Sequence, residues 1–202
     1  METWLVIVIA AVCLAAAGAV AGLILLAILA AGGISAARFN LTPVAAGQLR
    51  EYLDSEASFA LSVQRDFFNP PDQVFKALLD ERFMSWTPFT TGVDYAGTAL
   101  REVGTKRAFV NTFVVLAEQI VVHEPNRVLG VTITACSIPL ALNSAAEIFE
   151  VADNGTGGTR LTWHVGGTPK WVGWLPLRLA APFIRPIARW QIGKLRTIIG
   201  RR

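Results

Sequence analysis

"NPPDQVFKALLDERFMSWTPF", residues 69–89, is the stretch on which the fold reading turns. Asn69 is placed to cap a helix, and Pro70 and Pro71 suit a first turn, where a missing N–H costs nothing. Val74, Phe75, Leu78 and Leu79 then form an apolar stripe at helical spacing. A second short helical piece is expected over Glu81–Trp86, ending before Pro88. Helices this short bury one face only, so they need a larger apolar surface to rest on.

The flanking sequence supplies that surface. Upstream, in "SFALSVQRDFF", Phe59, Leu61 and Val63 alternate with Ala60, Ser62 and Gln64, the period of a half-buried strand. Downstream, six strand-like runs follow: "YAGTALREV", "KRAFVNTF", "VVLAEQIVVH", "RVLGVTITAC", "SAAEIFEVA" and "TRLTWHVG". "EPN" and "DNGTGG" separate some of them, and Asn154-Gly155 is a strong hairpin signal. The connections are too short for parallel crossovers, so the sheet reads as antiparallel. From Trp171 to Arg202 the spacing turns helical again, with Ile184, Ile187, Ala188, Ile192, Leu195, Ile198 and Ile199 in phase. Pro182 and Pro186 predict a kink or break there. The class is therefore α+β: seven antiparallel strands, two short helices after the first, and one long C-terminal helix. A single helix over so wide a sheet leaves room for a cavity between them.

Taken together, three stretches make the segment 58–202 resemble the START-like (SRPBCC) superfamily, which covers polyketide cyclases/dehydratases and lipid transport. They are the Pro-pair helix opening with its Trp86-x-Pro88, the run from "GTKRAF" to "AEQIVVHEPNRVLGVTI", and "GTRLTWHV". The resemblance implies a helix-grip, Bet v 1-like fold with a hydrophobic ligand cavity. It does not fix the chemistry, because fold alone does not decide function. Binding or transport of a lipid or other hydrophobic small molecule is the first expectation. A cyclase/dehydratase-like enzyme and a membrane interaction subunit that binds nothing small are the alternatives.

The residues before the domain read differently. From Trp4 to Ile34 no side chain is charged, and a bilayer core needs about 20 apolar residues. A secretory signal would start with a positive charge and have a shorter apolar run. Here Glu2 precedes the run, so residues 1–34 read as a retained single-pass anchor despite the cleavage-like "GISAA". Arg38 and Arg50 follow it and no Lys or Arg precedes it, which predicts the N-terminus outside and the domain in the cytoplasm, at the cell membrane. Residues 35–57 read as a juxtamembrane connector with a short helix, Thr42 as its cap and Pro43 as its first residue. Gly18 and Gly22 have the spacing of close-packed membrane helix pairs, which fits self-association. Cys13 and Cys136 fall in different segments and do not suggest a disulfide.

Charge is uneven. Residues 1–159 carry 9 basic and 15 acidic groups, whereas residues 160–202 carry 9 basic and none acidic. That split predicts an anionic partner for the tail. At ~100° per residue, Arg178, Arg185, Arg189 and Arg196 fall within roughly 40° of one another. With Trp171 and Trp174 they are the candidate membrane-surface residues, facing anionic lipid. No nucleic-acid reading motif accompanies the basic run. Within the domain, Glu118 shares a strand face with Leu116, Ile120 and Val122, and a carboxyl in that setting has a raised pKa suited to acid–base work. It is the candidate catalytic group; pairing with Arg101 or Arg107 is the plainer reading. Glu147 shares a face with Phe149 and Val151, while alternation points His164 away from the apolar face. Trp86, Glu118, Glu147, Trp163 and Ile187 are the expected cavity lining. No metal-ligand spacing, cofactor loop or nucleophile signature is present in the sequence.

Overall fold

The computed structural model describes residues 2–97, 101–171 and 177–199. Helix α1 (Glu2–Ala30) stands away from the rest of the chain, with its side chains exposed over most of its length. Only its last turn is covered: Leu26, Ala27 and Leu29 are half-buried and Ala30 is buried. A 3-10 turn (Gly33–Ala36) and the two-residue strand β1 (Phe39–Asn40) follow.

The sheet comprises β2 (Phe59–Phe67), β3 (Thr90–Tyr95), β4 (Lys106–Asn111), β5 (Val114–Glu124), β6 (Val128–Cys136), β7 (Leu142–Asp153) and β8 (Thr159–Pro169). All pairings are antiparallel and the order is β2-β8-β7-β6-β5-β4-β3, with β1 added against the end of β6. Strands β2 to β8 are the expected seven antiparallel strands. Helices α3 (Pro71–Leu78) and α4 (Ala181–Gly193) cover its inner face. Val74, Phe75 and Leu78 from α3 meet Phe149, Leu161 and Trp163 from the sheet, and Ala188, Ile192 and Leu195 close the other side.

The outer face is covered too. Residues 46–56 form a continuous helical stretch, a 3-10 turn (Ala46–Gln48), helix α2 (Leu49–Glu51) and a π turn (Tyr52–Glu56). Leu49, Tyr52 and Leu53 pack on Ala146 and Ile148 of β7. Two glycines permit this approach: a Cβ on Gly130 would lie 2.8 Å from Leu49 Cδ1, and one on Gly166 would lie 2.9 Å from Leu53 Cδ2. The connector is thus a packed layer, and His164, on the outer face, is half-buried beneath it and 3.2 Å from Glu150.

Four local expectations are corrected. The helix expected to start at Thr42 begins at Ala46, because residues 41–45 run extended and Thr42 N–H donates to Asn143 O. Residues 81–86 are successive turns, not a helix, because Met84 and then Phe89 take left-handed backbone (φ 63 and 64). The strand expected over residues 95–103 is β3, which ends at Tyr95; Gly97 turns the chain with φ 91. Residues 98–100 of that expectation lie outside the described residues. Finally, the long C-terminal helix is shorter than expected: 3-10 turns (Leu177–Ala180 and Lys194–Thr197) flank α4, Pro182 sits in its first turn, and Pro186 lies inside it, where it forfeits one backbone hydrogen bond.

Candidate functional site

A cavity of about 120 Å³ lies between the sheet, the turns after α3, and α4. The turns contribute Phe83, Met84 and Thr87, the strands Val93, Phe109, Leu116, Glu118, Glu147 and Trp163, and α4 contributes Gln191. Each strand residue faces inward by alternation. Glu147 stands two before Phe149 on β7, and Phe149 is stacked on Trp163 of β8 with ring centroids 5.9 Å apart. The bulge between Ile120 and Val122 separates those two: Ile120 stays in the inner core, while Val122 joins the outer cluster under the connector. Val122 therefore does not share the face of Glu118.

The polar groups of the cavity are few and constrained. Arg107 and Glu118 are direct cross-strand partners, and Arg107 Nε donates to Glu118 Oε2 at 2.7 Å with both side chains buried. Arg107 Nη1 also donates to Leu78 O at 3.2 Å and to Tyr95 Oη at 3.3 Å. Tyr95 Oη in turn donates to Leu79 O at 3.1 Å. The guanidinium is thereby tied to α3 as well as to the sheet. Trp163 Nε1 donates to Glu147 Oε2 at 3.3 Å. Thr87 Oγ1, of a residue that lines the cavity, and Trp86 Nε1 are buried with no hydrogen-bond partner among the described residues.

These surroundings separate the two carboxyls. Burial raises the pKa of Glu118, opposed by the attraction and hydrogen bond of Arg107. Burial would lower the pKa of Arg107, but Glu118 and Tyr95 hold it above its ordinary value, so the guanidinium keeps its charge. Glu147 is pushed up to about 8, first by burial and then by the charge of Glu118, with Arg107 and Trp163 pulling the other way. One buried cation faces two carboxyls, and the one without direct contact keeps its proton near neutral pH. The cavity therefore offers a carboxylic acid able to donate a hydrogen bond among apolar side chains.

Of the expected lining residues, Glu118, Glu147 and Trp163 meet in this cavity. Trp86 is half-buried beside it, edge-on to Phe83 at 6.0 Å. Ile187 is not in it and is 59% exposed. The register of α4 is set by Ala181, Ala188 and Ile192 against the core, with Leu195 just beyond it, and that turns Ile187 outward and Gln191 inward. Sequence reasoning missed Gln191 and Thr87; the one is a polar residue in an apolar helical repeat, and the other sits just past the segment read as a helix.

The tail residues separate as well. Arg185, Arg189, Arg196 and Trp171 are exposed. Arg178 is exposed but engaged: it donates to the carbonyls of Leu53, Asp54 and Ala57 at 3.2, 2.6 and 3.0 Å, fastening the start of the C-terminal segment to the connector. Trp174 lies outside the described residues. Gly18 and Gly22 are on the exposed part of α1, with open space around each.

Residues 58–200 match the family model described as polyketide cyclase / dehydrase and lipid transport. No curated protein is similar to this chain at a meaningful level. Among solved structures, the crystal structure of Ara h 8.0201 is similar with a TM-score of 0.54 at 14% identity, covering 69% of this chain and 96% of that one. The protein XoxI from Bacillus cereus is similar with a TM-score of 0.52 at 16% identity, covering 70% and 95%. A protein from Arthrobacter aurescens gives 0.52 at 14%, covering 69% and 87%. At these identities the likeness concerns the fold, and it agrees with the curled sheet and C-terminal helix described above. The family match spans most of the chain and coincides with the segment that builds the cavity, so this chain belongs to the polyketide cyclase / dehydrase and lipid transport family.

Proposed function

We propose that this protein binds a small hydrophobic molecule with one polar group and holds it at a membrane surface. The observation that carries the reading is the cavity: apolar side chains around the Glu147 carboxyl, whose pKa is pushed up, and a Thr87 hydroxyl with no partner among the described residues. Its volume of about 120 Å³ sets the scale of the buried part. A cavity of ~150 Å³ accepts benzene, whereas whole drug-sized ligands occupy about 300 Å³ or more. The buried moiety is therefore ring-sized, with a hydroxyl or carbonyl directed at Glu147. Helix α1 supplies the attachment, its 28-residue apolar span being long enough to cross a bilayer. Arg38 and Arg50, on the domain side of α1, favour a cytoplasmic domain.

The test is binding of phenol and benzene to the purified full chain, read by ligand-observed NMR. Phenol should bind more tightly than benzene. Val93→Phe, which fills the cavity, should abolish both, and Glu147→Leu should erase the preference for phenol. Mass spectrometry of an organic extract of the same protein should release an apolar small molecule lost in Val93→Phe. Failure of both probes to bind a folded protein would overturn the reading.

Catalysis is a second reading, favoured by the same pKa. With Glu118 held by Arg107, Glu147 is the better general acid, and a cyclase or dehydratase of this design would lose turnover in Glu147→Gln while retaining ligand. Unchanged turnover in that variant would exclude Glu147 from the chemistry.

A further inference from the structure

The two ends of the curled sheet differ in character. One rim is made by the β4–β5 hairpin, the end of β6, the start of β7, the end of β8 and the starts of β2 and β3, as the strand register requires. The last turn of α1 is seated at this rim: Ala30 and Ala36 are buried against Ala108 and Val115, beside the β4–β5 hairpin. Segment 177–180 and α4 begin here also, with Arg178 bonded to the carbonyls just before β2. From there α4 runs along β2 toward the far end, its Gly193 reaching Arg65.

This rim carries Phe39, Phe89, Leu140, Trp171, Leu179 and Phe183 as exposed large apolar side chains, Phe183 at 81%. Phe89 rests on Phe113 of the hairpin with ring centroids 5.3 Å apart. Phe89 and Leu140 are held in left-handed backbone, φ 64 and 60, a conformation that favours glycine or asparagine. Large apolar groups kept at that cost and still turned to the outside are not explained by packing among the described residues. Exposed Arg38, Lys170 and Arg185 border them, and exposed Asp54 and Glu56 stand just before β2. Among the described residues outside α1, the opposite rim exposes two large apolar groups, Phe68 and Val103, with charges of both signs along it, among them Glu102, Lys106, Glu124, Arg127, Asp153 and Arg160.

We infer that the rim around the exit of α1 is a lipid-docking surface, its aromatic and aliphatic side chains seated in the interfacial layer of the bilayer from which α1 emerges, with Arg38, Lys170 and Arg185 at anionic headgroups. The inference rests on the reading of α1 as a membrane span. Two features select a bilayer over a protein partner. The covered last turn of α1 leaves no slack between span and rim, so the rim lies at the depth of the headgroups. The pairing of apolar side chains with cations matches the interface of an anionic membrane. The outward face of α4 continues the surface through Ile187 and Trp190.

The experiment uses the full chain in liposomes of phosphatidylcholine and phosphatidylglycerol. An environment-sensitive label is placed at Phe183→Cys, Leu140→Cys or Phe68→Cys, one at a time on a Cys13→Ala background, and separately on native Cys13. Labels at 183 and 140 should shift to the blue and be quenched several-fold more than the label at 68 by lipids spin-labelled near the headgroup. Removing phosphatidylglycerol should reduce that quenching. Equal, water-like behaviour at 183, 140 and 68 would overturn the rim assignment. Cys13 reports on the span independently: deep-label quenching there together with water-like rim labels sinks the rim alone, whereas an unquenched Cys13 sinks the span.

Discussion

Glu147 gives the domain its pH dependence. Its pKa is raised from 4.5 to about 8 on folding, so the unfolded chain releases that proton first. The sign follows from proton linkage: between those values the native state binds more protons, and stability falls as pH rises. Full stability is present below about pH 4.5 as far as this group is concerned, and the loss, at most ~1.4 kcal/mol per pH unit, stops above pH 8. Glu147→Gln should flatten the decline in melting temperature between pH 5 and 8 and leave the variant more stable than the parent at pH 8, as thermal denaturation across that range will register. The Arg107–Glu118 pair behaves differently. Removing one partner strands a buried charge, and Arg107→Met should cost about 3–5 kcal/mol by urea unfolding, much of it recovered in the double variant Arg107→Met/Glu118→Leu. Glu118 and Glu147 were visible in the sequence as acids on apolar strand faces. Their different roles were not, because Arg107 reaches only the first, through a cross-strand register that no single strand encodes.

At the scale of elements, the C-terminal helical run shows how a largely correct face can carry misplaced residues: Ala188, Ile192, Leu195 and Ile198 are buried as their spacing predicts, whereas Ile184 and Ile187 are exposed. Ile184 and Ile187 neighbour the buried stripe closely enough on the helix for spacing alone to include them. Packing selects Ala188, Ile192 and Leu195 and leaves Ile187 outside. Ile192→Ala should therefore cost about 2–5 kcal/mol, by cavity formation, and Ile187→Ala within about 0.5 kcal/mol. Equal losses in chemical denaturation would mean the register is wrong. The connector is the other case. Its residues read as a tether because nothing in the sequence says that Gly130 and Gly166 open two notches for Leu49 and Leu53. The strands from β4 to β8 were legible since their alternation and turn residues agree. The 81–103 region was not, because its course depends on left-handed Met84 and Phe89, residues whose chemistry gives no warning of that conformation.

For the whole molecule, the consequence is a packed junction between an apolar helix and the sheet domain, through Ala30 and Ala36 against Ala108 and Val115. Retention of α1 predicts that the full-length chain sediments with membranes and resists alkaline extraction. A soluble product starting near Ser35 would instead identify a cleaved leader. The sequence by itself determined the α+β class, the strand succession from β4 onward, the apolar N-terminal run and the basic tail, because composition, period and charge are properties of local stretches. Only the tertiary structure decided which carboxyl is paired and which keeps its proton, which face of α4 looks inward, and which loops gather around the end of α1. Those outcomes depend on register and on contacts between residues far apart in the chain, where a difference of one position along a strand, or of 100° around a helix, exchanges the inside of the protein for its surface.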